Sequence, residues 1–492
     1  MTSIVLCFEV HQPFRVNHFS VNGSSLTQEK YFEKFFNKNL NKFIFDRASR
    51  KCYLPTTDTM LKLVDTFKKD KRKFKCTFNL SGVWLEQCEK WQPDLLENFK
   101  QLADSGMVEF LGSTYFHSLA GLFKNHSEFK EQIKMQTQVM KDYLGYKPKN
   151  FVNTEMLYNN LIAKTAEDLN FQSIFTEGTE RVLEWRSPNH VYARGPVKEN
   201  DKPLNKRIKV LTRNYRLSDD VGYRFSSKEW NEWPLTAEKY SVWLSATNGQ
   251  YINIFMDFET FGEHQPEESG IFFFLKALPW KVFDWENLDF KLPSEIIKEY
   301  DPVGEIDVHE NNTVSWADIE RDNSAWLGNS MQQMAFEELT NVESLVKQNG
   351  KKLLRFWRLL QQSDHFYYMC TKWWADGDVH HYFSPFSTPH DGFISMISGI
   401  SDLKVKLAKE LGKNEALNGK KKEKLKKALK GKKKIKSKES KVKEEVEDLK
   451  KLKPPLKPRS EIDFIMNEKV AYPTASIEKG KLERISHGLE KR

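Results

Sequence analysis

Two acids close an apolar run in "INIFMDFETFGEHQ" (252–265), Asp257 and Glu259, and a third, Glu155, closes another in "NFVNTEMLYNN" (150–160). Ionised carboxylates are costly to desolvate, so acids at a strand tip sit in a cleft or pair with a neighbour. Each has a plainer account. Glu155 suits the start of the helical stretch "NNLIAKTAEDL", where acids are favoured, and Asp257 with Glu259, on one side of an extended segment, suits a salt-bridged pair. Together, two carboxyls from separate strand ends are what cleavage of a glycosidic bond requires. One attacks the anomeric carbon while the other protonates the leaving oxygen. The acid needs a raised pKa, which burial beside another carboxylate supplies. A separation of about 5 Å goes with retention of configuration, and one of roughly 6.5–9.5 Å with inversion.

Histidines stand near other run ends. His11 and Gln12 follow the first run in "CFEVHQPF", and His117 follows a later one in "GMVEFLGSTYFHSL". At such places they can hydrogen-bond sugar hydroxyls. Metal binding is not expected, because neither HExxH nor H-x3-H spacing occurs and His380 and His381 are adjacent. No cofactor is implied.

Seven short apolar or β-branched runs must position these groups: 4–8, 74–80, 108–111, 151–154, 173–176, 208–212 and 252–256. Helical spacing separates several of them. "LPTTDTMLKLVDTFKKD" has Thr57 and Asp58 near a plausible N-terminus, and "WQPDLLENFKQLADSG" has Pro93 near its start and Gly106 at its end. Alternating strands and helices predict an α/β fold on a parallel sheet, open or closed. The runs end in or are followed by the polar residues His11, Asn79, His117, Glu155, Glu177, Arg213 and Asp257, and parallel sheets build their sites at those ends. Residues 315–370 have helical spacing and read as a second, helical domain. "KWWADGDVHHYFSPF" (372–386) interrupts it.

The whole chain of 492 residues can bury a large core. Its formal charge of +9 is uneven: residues 401–492 carry +14, which leaves −5 for residues 1–400. The basic character sits in "KKKEKLKKALKGKKKIKSK" (420–438), read as part of a mobile extension, so nucleic acid is a partner only through that tail. No apolar run approaches the roughly 20 residues of a membrane span. Cys7, Cys52, Cys76, Cys88 and Cys370 are scattered without a CxxC, and no leader pattern opens the chain, so the reading is reduced thiols in a cytoplasmic protein.

The ordered set "HQP", "GSTYFHS", "NTEM" and "DFETFGEHQ" resembles glycoside hydrolase family 57 over roughly residues 1–395, and "CTKWWADGDVHHYFSPF" looks like its α-amylase-type members. The resemblance implies a (β/α)7 catalytic barrel at 1–285 and a helical domain contributing to the cleft at 286–410; the lysine-rich tail at 411–492 departs from the family's catalytic pattern and reads from its composition as largely disordered with weak helical tendency. The resemblance also implies retaining cleavage of α-1,4-glucans without a metal, with Glu155 as nucleophile and Asp257 as general acid/base. His11, Gln12, His117, Glu259 and His264 are then expected at the substrate, with Trp373, Trp374 and either Asp376 or Asp378 from the helical domain. "RNYRLSDDVGYRFS" resembles a family loop and brings Asp219 or Asp220 near substrate. The same site serves a 4-α-glucanotransferase when the acceptor is sugar. A metal-dependent carbohydrate deacetylase and a non-catalytic glucan-binding protein are the other classes considered. Oligomeric state is not legible.

Overall fold

The computed structural model describes residues 2–18, 32, 35–349, 353–372 and 384–431 (side chains to 412), and each of the seven runs contributes a strand. Among the described residues ten strands occur: β1 Thr2–Val10, β2 Cys76–Leu80, β3 Val108–Leu111, β4 Asn150–Phe151, β5 Ser173–Glu177, β6 Val191–Arg194, β7 Lys209–Arg213, β8 Tyr251–Asp257, β9 Leu288–Phe290 and β10 Glu305–Ile306. Sequence reading did not anticipate β6, β9 and β10. They are short, and β6 alone runs antiparallel, against β7.

One sheet has the order β3-β2-β1-β8 with β9 also on β1, and the other β10-β6-β7-β5-β4. The two meet where Gly112, just past β3, bridges Phe151 in parallel, its N–H on Asn150 O at 2.8 Å and its O accepting from Val152 N at 3.0 Å. A side chain at position 112 would lie 2.5 Å from the Phe171 ring, so this crossing needs glycine. On the opposite side Asn214 N donates to Asn253 O at 2.9 Å and Arg213 Nε to Phe255 O at 2.7 Å.

β1 is buried along its whole length, and it reads as an unbroken apolar run up to Glu9 because a parallel central strand is covered on both faces. Side chains alternate. Ile4, Leu6 and Phe8 pack with the surrounding helices, while Val5 and Cys7 join Leu111, Phe175, Leu211 and Phe255 in a second cluster. Glu9 continues the Val5–Cys7 column, and Asp257 continues that of Asn253 and Phe255. The register sets Glu9 beside both Asn79 and Asp257. Acids thus end two inward columns at the carboxyl edge of the sheet.

Helices follow local rules in part. Helix Pro93–Asp104 starts on its proline, and Gly106 at φ 69° ends the turn after it. Thr57 and Asp58, expected near a helix start, instead lie inside Leu54–Phe67. A five-residue π-helix, Ser49–Tyr53, joins that helix directly to Lys38–Ala48. Thr57 Oγ1 donates to Tyr53 O at 2.7 Å and so serves the helix from within.

The helical reading of 315–370 is met by Ser324–Leu327, Ser330–Asn341, Glu343–Asn349, Leu354–Leu359 and Ser363–Tyr367. The last two form a break rather than one helix, because Gln362 bridges Ser118 and its side-chain amide clasps Phe14 through both N–H and C=O. Residues 1–403 make one compact unit and 404–492 another. Helix Pro389–Gly431 takes in residues 411–431 of the tail, where the sequence had a weak helical tendency; Lys, Glu, Leu and Ala are strong helix formers. The rest of the basic stretch lies outside the described residues. Among the described residues no helix is long and apolar enough to cross a membrane.

Candidate active site

A cleft of about 420 Å³ opens at the carboxyl ends of β1 and β8. Of the expected residues, His11, Gln12, His117, Glu155, Asp257, Glu259 and His264 all line it. Trp373, Trp374, Asp376 and Asp378 lie outside the described residues.

Glu155 is not at a helix start. Helix Asn160–Asp168 is capped by Asn159, whereas Glu155 sits in a single 3-10 turn after β4 with φ 57° and ψ 24°. A non-glycine residue in the left-handed region costs about 1–3 kcal/mol and persists only where its surroundings fix it. The fixing groups are visible: Glu155 O accepts from Ser315 Oγ at 2.9 Å and from Trp316 N at 3.3 Å. The carboxylate accepts three more bonds. Ser363 Oγ and His117 Nε2 donate to Oε1 at 2.8 and 3.3 Å, and Trp316 Nε1 donates to Oε2 at 2.9 Å. Burial pushes its pKa up, but the bond and charge of His117 and the Trp316 donor outweigh that and hold it below the usual range. Glu155 is therefore ionised and aimed.

Asp257 ends β8. Burial and the neighbouring charge of Glu155 push its pKa up to about 7, against the opposing fields of Arg213 and His117. One carboxyl is held as the anion and the other as the acid. That is the division of labour double displacement needs.

The histidines are arranged as a stack, His11 on His117 at 4.0 Å and 20°. His11 accepts from Ser81 Oγ at 2.7 Å on Nδ1, and its Nε2–H donates to Asp364 Oδ2 at 3.0 Å. Burial and the adjacent His117 charge push His11 down to about 4, so it is neutral, while Asp364 is held well below the carboxylate range despite its burial. His117, itself at φ 48°, lies between two acids. Burial opposes its charge, but Glu155 and Glu9 raise it to about 9.

Glu259 departs from expectation in its setting. β8 stops at Asp257, and Phe258–Thr260 turn as a 3-10 helix, so the two acids do not share one face of an extended segment. Tyr53, carried on the π-helix, donates to Glu259, whose pKa burial and Asp257 raise to about 8. His264 is pushed down to about 4 by burial. Arg15 donates to Gln12 Oε1 at 2.9 Å.

Sequence reasoning missed Glu9, Trp316, Ser363, Asp364 and Arg321. Glu9 was visible as a lone acid in a buried run, whereas the others come from segments whose only signal was helical spacing. Asp219 lines the cleft, within an ionic cluster below Trp316. Arg213 donates to Glu177 and Asp219 at 2.9 and 2.6 Å, and Arg321 reaches the same two acids at 3.3 and 2.8 Å and also holds Trp316 O. The Arg213 guanidinium lies 5.6 Å from the Trp316 ring centre. Asp220 instead pairs with Arg224 at 2.8 Å. Among the described residues no group of three or more His, Cys, Asp or Glu is arranged to hold a metal, and all five cysteines are buried free thiols.

The chain is similar to known proteins. A protein of Methanocaldococcus jannaschii named "Putative alpha-amylase" is 43% identical over 422 residues, which cover 84% of this chain and 86% of that relative. The branching enzyme of Thermococcus kodakaraensis, solved with glucose and additives, has a TM-score of 0.54 at 15% identity, covering 84% of this chain and 94% of that one. The α-amylase AmyC of Thermotoga maritima gives 0.52 at 13%, covering 83% and 93%. At such identities these two speak for the fold alone. The family described as Glycosyl hydrolase family 57 matches residues 5–309, a span that holds His11, His117, Glu155 and Asp257. By that match and the 43% identity, the chain belongs to glycosyl hydrolase family 57.

Proposed function

We propose that the chain is a retaining, endo-acting glycoside hydrolase of α-1,4-glucans, α-amylase-like, with Glu155 as nucleophile and Asp257 as general acid/base. The observation that carries this is the opposed protonation of two carboxyls on one cleft. Glu155 accepts three hydrogen bonds, of which those from His117 and Trp316 hold its pKa below the usual range, while Asp257 is pushed up to about 7. The identity to a relative named for amylase supports the substrate class. We read the two sheets, joined at Gly112–Phe151 and at Asn214–Asn253, as one (β/α)7 barrel spanning 1–285, with residues 286–410 as the helical domain that supplies Trp316, Ser363 and Asp364.

In the first step the Glu155 carboxylate attacks C1, the C1–O bond to the leaving sugar breaks, and the Asp257 proton moves to the departing 4-oxygen. The anomeric centre inverts to a β-linked ester. In the second step Asp257, now a carboxylate, takes a proton from the acceptor, which attacks C1 and releases Glu155 with net retention. Water as acceptor gives hydrolysis, and a glucan 4-hydroxyl gives 4-α-glucan transfer. Incubation with a single maltooligosaccharide, followed by chromatography, tests the reading. Shorter products alone are expected; a ladder of both longer and shorter chains would assign transfer, and unchanged oligosaccharide would contradict glucan chemistry altogether.

A further inference from the structure

Double displacement uses Glu155 and Asp257 but has no task for Glu9, a buried acid on the cleft wall at the end of β1. Glu9 is nonetheless closely held. Asn79 Nδ2, from the adjacent strand β2, donates to both its oxygens at 2.8 Å, which fixes the plane of the carboxyl group. Oε1 then lies 3.6 Å from His117 Nδ1. That nitrogen makes no hydrogen bond among the described residues, and Glu9 is the acid within ion-pair reach of it. The other ring nitrogen, Nε2, faces Glu155 at 3.3 Å. The ring cannot tilt freely, because it stacks at 4.0 Å on His11, which Ser81 and Asp364 hold at both of its own nitrogens. An imidazole with a carboxylate at each nitrogen carries a proton on each, since a carboxylate only accepts.

We infer that Glu9 is a positioning residue of the reaction: it is the standing counter-ion of His117, and it becomes the partner that remains when Glu155 is consumed as an ester. The inference rests on the nucleophile assignment above. Before the first step the site holds Glu155, Glu9 and Asp364 as anions, His117 as a cation and Asp257 as the neutral acid. Bond formation between C1 and the Glu155 oxygen removes the Glu155 charge, and proton transfer to the leaving oxygen places a negative charge on Asp257. The net charge is unchanged, but the anion bonded to Nε2 is gone. A buried cation without a counter-ion is costly, by several kcal/mol in general. Glu9, 3.6 Å from Nδ1, keeps the cation compensated through the intermediate, and no other acid lies within ion-pair reach of that nitrogen among the described residues. The charged and titratable groups facing His117 are Glu9, Asp257, Glu155, His11 and Asp364. Burial raises Glu9 to about 7 against the His117 charge and the Asn79 bonds, so Glu9 serves as the counter-ion above about pH 7 and takes up a proton below it.

Nitrogen-15 histidine NMR of the whole protein tests this, with the His117 signals assigned by their loss in His117→Asn. In the wild type His117 is expected to be doubly protonated at pH 7. In Glu9→Gln its titration should fall by about one pH unit or more, as one carboxylate field is lost. The Gln side chain can still meet Asn79, whose Oδ1 has no other partner among the described residues, so the variant should fold. In the same variant kcat/KM should drop about 10–100-fold at pH 8 and far less at pH 5, moving the alkaline limb to lower pH, and Glu9→Asp should recover part of it. An unmoved His117 titration in Glu9→Gln overturns the inference. A neutral His117 in the wild type at pH 7 overturns it without any variant. Protonation as expected in a wild type that leaves glucans untouched would instead sink the substrate reading and leave the Glu9–His117 pair standing.

Discussion

Glu155 and Asp257 are chemically similar groups on one cleft, and their surroundings alone separate them. Three donors reach Glu155, while no side-chain donor bonds Asp257 among the described residues. Glu155→Gln removes the nucleophile and keeps the shape, so turnover should fall by at least about 10³-fold with an unchanged melting temperature. Wild-type-like activity would remove Glu155 from the mechanism. Asp257→Asn should lose far more on a maltooligosaccharide than on an activated aryl glycoside, whose leaving group needs no proton; equal losses would contradict the donor role. The pH dependence follows with definite signs. Activity needs Glu155 ionised, and its pKa lies below the ordinary carboxylate value, so the acid limb falls below the usual range. It also needs Asp257 protonated, so kcat/KM should decline as pH rises through about 7. A profile flat from pH 6 to 9 would be incompatible with that.

At the scale of elements, the strands were legible because buried parallel strands are unbroken apolar runs, and the polar residue that ends each run stands out. His11, His117, Glu155 and Asp257 were readable for that reason. The other wall of the cleft was not. Gln361 and Gln362 break the expected helix with neither glycine nor proline. The break comes from long-range bonds between Gln362 and Phe14 that no local pattern encodes, and it delivers Ser363 and Asp364 to the site. Trp316 arrives on a loop containing Asp318 and Arg321 at φ 56° and 52°, again held by distant partners. The loop's contribution can be measured. Trp316→Phe deletes one donor to the Glu155 carboxylate while keeping an aromatic ring beside Arg213. It should lower kcat/KM by roughly 10–100-fold, the worth of a hydrogen bond to a charged group. It should also shift the acid limb upward, because Glu155 then binds its proton more tightly. An unmoved acid limb would mean that the N–H does not tune the nucleophile.

Across the whole molecule the two arginines Arg213 and Arg321 neutralise Glu177 and Asp219, joining β5 and β7 to the Trp316 loop. Arg213→Met leaves two buried acids on one cation. Breaking such a buried pair costs about 3–5 kcal/mol, which urea unfolding should detect. Glu177 already has a raised pKa from its burial, so without Arg213 it escapes the charge by taking a proton. The loss should therefore be larger at pH 8 than at pH 5, and equal losses would indicate that the cluster is not charged as described. The same cluster shows what single-sequence reading could not reach: Glu177 and Arg213 were recognised as strand ends, but not their ion pairs with each other and with Asp219 and Arg321. The covalent step on Glu155 is the claim on which the rest depends. Asp257→Asn, given α-maltosyl fluoride, should complete the first displacement, since fluoride leaves without a proton, and stall at the second for want of a base. Peptide mass spectrometry is then expected to find maltosyl on Glu155; maltosyl on any other acid, or no adduct together with release of β-maltose, would contradict the account.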